Sequence, residues 1–333
     1  MKKIIYFLYY IKITDYSKLR KFSKFVAKKG KSKISQFFDV IFCSFKYNMS
    51  FLEYYYFRFW EKNNKERNEW AGTGFMFEYQ LKMNPKQYRN LLENKVLFLK
   101  EYKDFICHKW ADIPLLKNNE PLANEIRSNS SGKIVLKGIN EQCGKGIKII
   151  DTNQISSINK LIEMMEKNKQ GLVEEYIIQH DKLNELSPAG LNTVRVFTQL
   201  NQNGGVDFLG ARLRITVNSY VDNLAAGNLA APIDMETGKI SGPAVYSDIT
   251  KKSEEIHPVT KVKIIDFEIP FWQEVKNLCI QAALHNTYNK SIGWDVAINN
   301  NWVELLEGNH NWCKLLWQLP INQGMKKVLL KYL

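Results

Sequence analysis

The stretch Gly293-Trp-Asp-Val-Ala-Ile-Asn-Asn-Asn-Trp-Val-Glu-Leu-Leu-Glu-Gly-Asn309 carries the most information in this chain. Trp294-Asp-Val-Ala-Ile298 and Trp302-Val-Glu-Leu-Leu306 are β-rich runs on either side of Asn299-Asn-Asn301, which predicts a hairpin. Asp295 then stands in one strand, while Glu307 and Asn309 end the next. Residues i and i+2 of a strand share a face, so Glu307 and Asn309 are neighbours, and antiparallel pairing can bring Asp295 to them. Two carboxylates and an amide suit Mg²⁺, which prefers hard oxygen ligands. Glu304 falls on the opposite face by strict alternation and is left out of the set. Either carboxylate alone reads better as a surface residue of a hairpin than as a metal ligand. Together, beside Val296, Ile298, Leu305 and Leu306, they stand in apolar surroundings where unpaired charge is costly, and a cation would offset that cost.

Upstream, Ile134-Val-Leu136 and Ile147-Lys-Ile-Ile150 flank a glycine-containing loop and predict a second hairpin. Lys137 at the strand end can reach phosphate oxygens, and Gly144-Lys-Gly146 lets backbone N–H groups close over them. The pattern is not a Walker A sequence and is common by chance. It gains weight from the apolar strand at residues 172–178, whose Glu174 and Glu175 can face an adenine amino group, with Ile177 offering backbone. Solvation of an edge strand explains those glutamates equally well. Arg195 alternates with Val194 and Val196, and Arg212 and Arg214 share a strand face. Guanidinium groups beside metal-holding carboxylates suit phosphoryl transfer, although ordinary ion pairing accounts for any one of them. Asp222-Asn-Leu-Ala-Ala-Gly-Asn228 reads as a substrate-facing flap, with Asn223 and Asn228 as its amides. No H-x-x-x-H pair or G-x-S-x-G elbow is present, so zinc proteases and hydrolase triads are unsupported.

The 333 residues, 45% hydrophobic and 24% charged, allow two or three domains with a sizeable core. The five cysteines are scattered singly, which fits a reducing compartment and argues against structural zinc. Residues 1–50 hold twelve Lys/Arg against Asp15 and Asp39, a net +10 of the total +13. Their longest apolar run is eight residues, whereas a bilayer span needs ~20. Such a segment can lie in the headgroup layer of an anionic membrane, each basic residue contributing ~1 kcal/mol. A helical subdomain with lysines facing water is an equally good reading, and nucleic-acid binding is a poorer third. Residues 1–70 read as helices, 85–104 as one further helix, and 156–167 and 271–288 as amphipathic helices. Residues 193–198, 208–217 and 230–234 read as strands, with a hairpin turn at Met235-Glu-Thr-Gly238. The class is α+β with a basic helical amino-terminal region.

Taken in order, these parts resemble the ATP-grasp superfamily, and more closely its sugar-transfer-associated branch linked to bacterial surface polysaccharides. The resemblance runs from about residue 94 to 312. Leu92-Glu-Asn-Lys95 resembles the family's helix-start lysine, and Ile134-Val-Leu-Lys137 with Gly144 and Gly146 its phosphate-covering hairpin. Val173-Glu-Glu-Tyr-Ile177 is similar to the hinge strand holding adenine, which makes Asp181 the candidate for the ribose hydroxyls. Asp295, Glu307 and Asn309 match the D…E-x-N magnesium pattern. Asn192-Thr-Val-Arg195, Asp222-Asn223 and His257-Pro-Val-Thr260 before Ile269-Pro-Phe-Trp272 resemble marks of the sugar-transfer branch, with Asn192 on the substrate side. Two features depart from the family. Many of its ligases carry an arginine two residues before the first metal carboxylate, where this chain has Gly293, so that role passes to Arg195, Arg212 or Arg214. The first 75 residues do not resemble the usual preceding α/β domain.

The resemblance implies two α+β lobes gripping ATP: a basic region 1–75, a helical connector 76–130, a small lobe 131–178 and a large lobe 179–333 with the metal site. It implies ATP and two Mg²⁺ ions as cofactors, and a carboxylate and an amine, one of them a small molecule or glycan, joined through an acyl phosphate. The cellular place expected is cytoplasmic, at the inner membrane face if residues 1–50 bind lipid. A kinase acting on a sugar or lipid-linked acceptor and a non-catalytic membrane-surface scaffold are the alternatives.

Overall fold

The two predicted hairpins belong to two different antiparallel sheets. In the computed structural model, which describes residues 2–141, 144 and 146–333, Cys143 and Lys145 of the glycine loop lie outside the described residues. The first sheet contains β1 (Trp110–Asp112), β2 (Lys133–Lys137), β3 (Lys148–Asp151) and β4 (Leu172–Glu175), in the order β1-β4-β2-β3. The second contains β5 (Val194–Leu200), β6 (Val206–Ile215), β7 (Leu229–Ile233), β8 (Ser291–Ile298) and β9 (Val303–Asn309), in the order β7-β6-β5-β8-β9. The class is α+β as expected.

The large sheet is covered on both faces, which is why β5 and β8 are buried along their whole length. Helix Trp272–His285 packs Val275, Cys279, Ala282 and Ala283, spaced at helical intervals, into the same core as Val194, Val196 and Val296. Beyond the sheet, Tyr79 of helix Thr73–Met83 joins Phe197, Trp312 and Trp317 in a second cluster. The turn at Met235-Glu-Thr-Gly238 forms as predicted: Gly238 has φ 73° and its N–H donates to the Asp234 carbonyl over 2.9 Å.

The small sheet has its own core, where Ile134, Leu136 and Val173 meet Leu161, Ile162 and Met165 of helix Ile158–Lys167. Ala111, Leu116, Ala123 and Ile126 enter the same cluster. The chain from β1 through helix Glu120–Arg127 therefore packs with the small sheet, ahead of the boundary expected at residue 131. The helix expected over 85–104 is broken. Asn94, with φ −92° and ψ 110°, ends Asn90–Glu93, and its side chain accepts from Val96 N and Leu97 N to start Lys95–Glu101.

The amino-terminal helices α1 (Lys2–Ile13), α2 (Tyr16–Ala27), α3 (Lys33–Tyr47) and α4 (Phe51–Tyr56) share an aromatic core around Tyr10, Phe22, Tyr54 and Tyr55. A forked Arg67–Asp39 pair at 2.8 and 2.7 Å closes it. Lys314 reaches Glu53 over 2.9 Å and ties the bundle to the carboxyl-terminal segment. Among the described residues no helix is long and apolar enough to cross a membrane.

Trp294 tests how far the large sheet depends on its central packing. It is fully buried, and its indole N–H donates to Thr198 Oγ1 over 2.9 Å. Trp294→Ala is expected to lower the unfolding free energy by ~3–5 kcal/mol, read from urea denaturation.

Candidate active site

The register of β8 against β9 places Asp295 opposite Glu307 and Gly293 opposite Asn309. A bulge between Asp295 and Val296 then sets Val296 opposite Leu305, so Leu306 is an extra residue in the count. The bulge corrects the reading of Glu304. It pairs with Ala297, two residues from Asp295, so it belongs to the side of the sheet that alternation had denied it.

Asp295 is buried between two arginines. Arg195, its partner across β5 and β8, binds both carboxylate oxygens, through Nε to Oδ1 and through Nη2 to Oδ2 at 2.7 Å. Arg214 Nη1 reaches Oδ2 at 2.7 Å, and Arg214 Nη2 holds Asp222 at 2.7 Å. Burial raises the Asp295 pKa, but the two guanidinium groups outweigh it and leave the carboxyl well below the usual range. Glu307 responds oppositely. Burial, then the charge of Asp295 and a hydrogen bond to it, push its pKa up. Asn309 donates from Nδ2 to Glu307 Oε1 at 3.2 Å and to the Gly293 carbonyl at 3.3 Å. The close approach of Trp312, with Arg195 beside it, explains why position 293 is glycine. A Cβ there would lie 3.2 Å from Arg195 Cδ and 2.7 Å from Trp312 Cβ.

Facing this group, Lys137 ends β2 and forms an ion pair with Glu174 of β4. Lys95, Lys137, Gly144, Glu174, Glu175 and Ile177 line one wall of a cleft whose other wall includes Arg214, Asn223, Asp295 and Glu307. Val135, Ile147, Ile149 and Leu306 give it apolar flanks. Gly144 and Gly146 have φ 71° and 68°, and a Cβ at Gly146 would fall 2.0 Å from Glu141 Oε2. The Lys95 ammonium binds the Glu141 carbonyl, and burial lowers its pKa. Two lysines on one side, oxygen ligands on the other and an apolar slot between them can hold a polyphosphate carrying a flat ring.

Other expected site residues lie elsewhere. Arg212 shares a strand with Arg214, but its guanidinium turns to the Trp317 carbonyl, with Nε at 3.1 Å, and forms no ion pair among the described residues. Burial lowers its pKa to about 9. Asp181 is exposed at the start of helix Asp181–Leu186, outside the cleft lining. Asn192 is fully buried and ties Gln179, Ser187 and Thr216 together. Asn228 accepts from Val217 N and donates to the Val221 carbonyl, bracing the flap from behind. Buried amides have to satisfy both ends of the side chain, and backbone groups do so here.

The sequence reading had no place for His108, which links the two sheets. Its Nδ1 lies 2.7 Å from Glu304 Oε2, and Nε2 lies 3.7 Å from Glu174. Glu304 also accepts from Cys107 N and His108 N at 2.7 and 2.9 Å. Burial lowers the His108 pKa, but Glu304 and Glu174 outweigh it, against a smaller opposing effect of Lys137, and the net shift is upward. His108 therefore binds its proton more tightly folded than unfolded. Its stabilising contribution is complete below about pH 6.5 and is lost as pH rises through the folded pKa. The stability difference between the wild type and His108→Gln, measured by urea unfolding, should shrink as the pH is raised from 6 to 9. A difference that stays constant would refute this.

A family model described as sugar-transfer associated ATP-grasp matches residues 75–332. No curated protein matches the chain. Among solved structures, it is similar to biotin carboxylase from Campylobacter jejuni in a β,γ-ATP complex, at 14% identity over 79% of this chain and 54% of that chain, TM-score 0.44. It is similar to the biotin carboxylase domain of 2-oxoglutarate carboxylase from Hydrogenobacter thermophilus, at 14% identity over 75% and 52%, TM-score 0.41. D-alanine–D-alanine ligase from Helicobacter pylori follows at 14% over 74% and 58%, TM-score 0.38. The chain thus spans between 52% and 58% of the length of these three structures. The family match takes in both sheets and every residue of the cleft, and on that ground the chain belongs to the sugar-transfer associated ATP-grasp family.

Proposed function

We propose that this protein is an ATP- and Mg²⁺-dependent carboxylate–amine ligase, attaching an amino acid or amine to a sugar acid in bacterial surface polysaccharide synthesis. The observation that carries the proposal is the cleft itself, where Lys95 and Lys137 face Asp295, Glu307 and Arg214. In this reading Val135, Ile147, Ile149 and Leu306 flank the adenine, and the backbone at Glu175 and Ile177 meets its polar edge. Lys137 and Lys95 bind the phosphates.

The residues present fit a divalent cation. Glu307 carries a raised pKa beside Asp295, the like-charge contact that a cation relieves. Asn309 Oδ1 accepts no hydrogen bond among the described residues. Among the described residues no group of three His, Cys, Asp or Glu side chains is placed to hold a metal ion by itself, so the third protein ligand beside Asp295 and Glu307 would be the Asn309 amide. Bound Mg²⁺, two ions in the family pattern, would offset charge on the phosphate oxygens.

The substrate carboxylate oxygen attacks the γ-phosphorus, the bond to the leaving ADP oxygen breaks, and an acyl phosphate forms. The amine then attacks the acyl carbon and loses a proton, phosphate departs, and an amide remains. No protein nucleophile is needed. Arg214, fixed on Asp295, presents positive charge to the transferring group, Arg195 holds Asp295 from outside the cleft lining, and Asn223 lies on the flap side of the cleft. Residues 1–50 would keep the enzyme at the anionic inner face of a membrane, near lipid-linked sugars.

Incubation with ATP, Mg²⁺ and pooled amino acids and sugar acids should release ADP and phosphate in equal amounts with an amide product. ADP with a phosphorylated acceptor would instead mark a kinase. Arg214→Met is expected to lower kcat by ~10²–10³-fold, with the fold checked by circular dichroism. Mg-ATP should raise the Tm of the wild type, and Asp295→Asn should abolish that rise. A Tm shift that persists in the variant would remove Asp295 from the metal set.

A further inference from the structure

The four amino-terminal helices carry a feature for which the ATP-grasp core has no use. α1 is apolar on every side. Tyr10 is buried inward, yet Ile4, Ile5 and Leu8 are 57%, 62% and 59% exposed. On α3, Val40 and Cys43 are buried inward, while Ile34, Phe38 and Phe42, spaced four apart, lie along the outside. A helix that is apolar all round is ordinarily covered on all sides. The two helices are held together by Phe7 stacked on Phe45 at 4.6 Å, so their exposed ridges keep a fixed relation.

Between α1, α2 and α3 lies a groove of 680 Å³, within the ~300–1,000 Å³ typical of small-molecule sites. Phe7, Leu19, Val40 and Phe51 line its apolar interior, and Arg20, Lys24 and Lys33 stand at its edge. Among the described residues no carboxylate lines it. These three cations make no ion pair among the described residues, whereas their neighbour Lys21 is held by Asp248. An apolar trough with uncompensated positive charge on its rim is complementary to one kind of molecule, a hydrocarbon chain ending in an anionic head.

We propose that this groove is a lipid site, taking the hydrocarbon chain of an anionic membrane lipid with its phosphate-bearing head on Arg20, Lys24 and Lys33. The ridges of α1 and α3 enter the headgroup layer beside it, in the manner of interfacial helices with lysines flanking Leu, Ile and Phe. This rests on the membrane-face reading of residues 1–50 and is independent of the ligase chemistry.

The test titrates the full-length protein with fluorescent lysophosphatidylglycerol below its micellar concentration. In parallel, flotation is measured with vesicles of phosphatidylglycerol and phosphatidylcholine. Saturable single-site binding is expected. Ser23→Trp, which fills the groove without altering its charge, should weaken that binding by about tenfold or more. The Arg20→Glu, Lys24→Glu pair should weaken it by about thirtyfold from the loss of two basic contacts. Both variants should keep the Tm rise with Mg-ATP, which reports an intact fold. Absence of saturable binding, binding undiminished in Ser23→Trp, or concentration-dependent self-association abolished by Ser23→Trp would each overturn the lipid site. Vesicle flotation without single-site binding would remove the groove and leave the membrane-face reading standing. Loss of both with the Mg-ATP response retained would remove the two together and leave the ligase reading untouched.

Discussion

Asp295 is a carboxylate buried in the middle of a five-stranded sheet, an arrangement that is tolerable only because two guanidinium groups surround it. Arg195 comes from β5 and Arg214 from β6, so one carboxylate cross-links three adjacent strands. The pair geometry with Arg195 is two-pronged, which fixes direction as well as distance. Removing either partner would leave charge stranded in a low-dielectric interior, a far larger cost than the net gain of forming the pair. This cluster sets the register around the cleft and places Glu307 and Asn309 at its edge. Beside it the glycine at 293 is dictated by Trp312, whose Cβ would lie 2.7 Å from an added Cβ, with Arg195 Cδ next at 3.2 Å.

A second buried network joins the two sheets. Glu304 on β9, His108 before β1, Glu174 on β4 and Lys137 on β2 form a line of alternating acidic and basic side chains from the large sheet to the small one. The lysine proposed to bind phosphate is therefore held at the end of a chain rooted in the opposite sheet. Such a line couples the position of Lys137 to the contact between the sheets, and to the proton on His108. The bulge at Leu306 makes this possible by bringing Glu304 to the side facing His108.

The amino-terminal helices follow a different logic from the rest. Their inward faces form an ordinary aromatic core, and their outward faces carry aliphatic and aromatic side chains together with lysines. Charge and apolar surface are thus presented together on one part of the molecule, which suits an amphiphilic neighbour better than water alone.

The sequence by itself determined the local elements: both hairpins, the helix after Ser157, the turn at Gly238 and the concentration of charge in residues 1–50. It also carried the spacing of Asp295, Glu307 and Asn309, because side-chain direction along a strand repeats every second residue. Each of these is written within one contiguous stretch of the chain, where periodicity, turn chemistry and local composition act. The tertiary structure decided what periodicity cannot reach. Arg195 meets Asp295 across a hundred residues, and position along β6 gives Arg214 to Asp295 and Arg212 to the Trp317 carbonyl. Asn192 and Asn228 carried the same polar signal as Asn223, yet the backbone groups around them claimed both ends of their amides. One inserted residue in β9 reversed the side on which Glu304 lies. Contacts of this kind depend on register and on which strand lies beside which, and only the packed chain sets those.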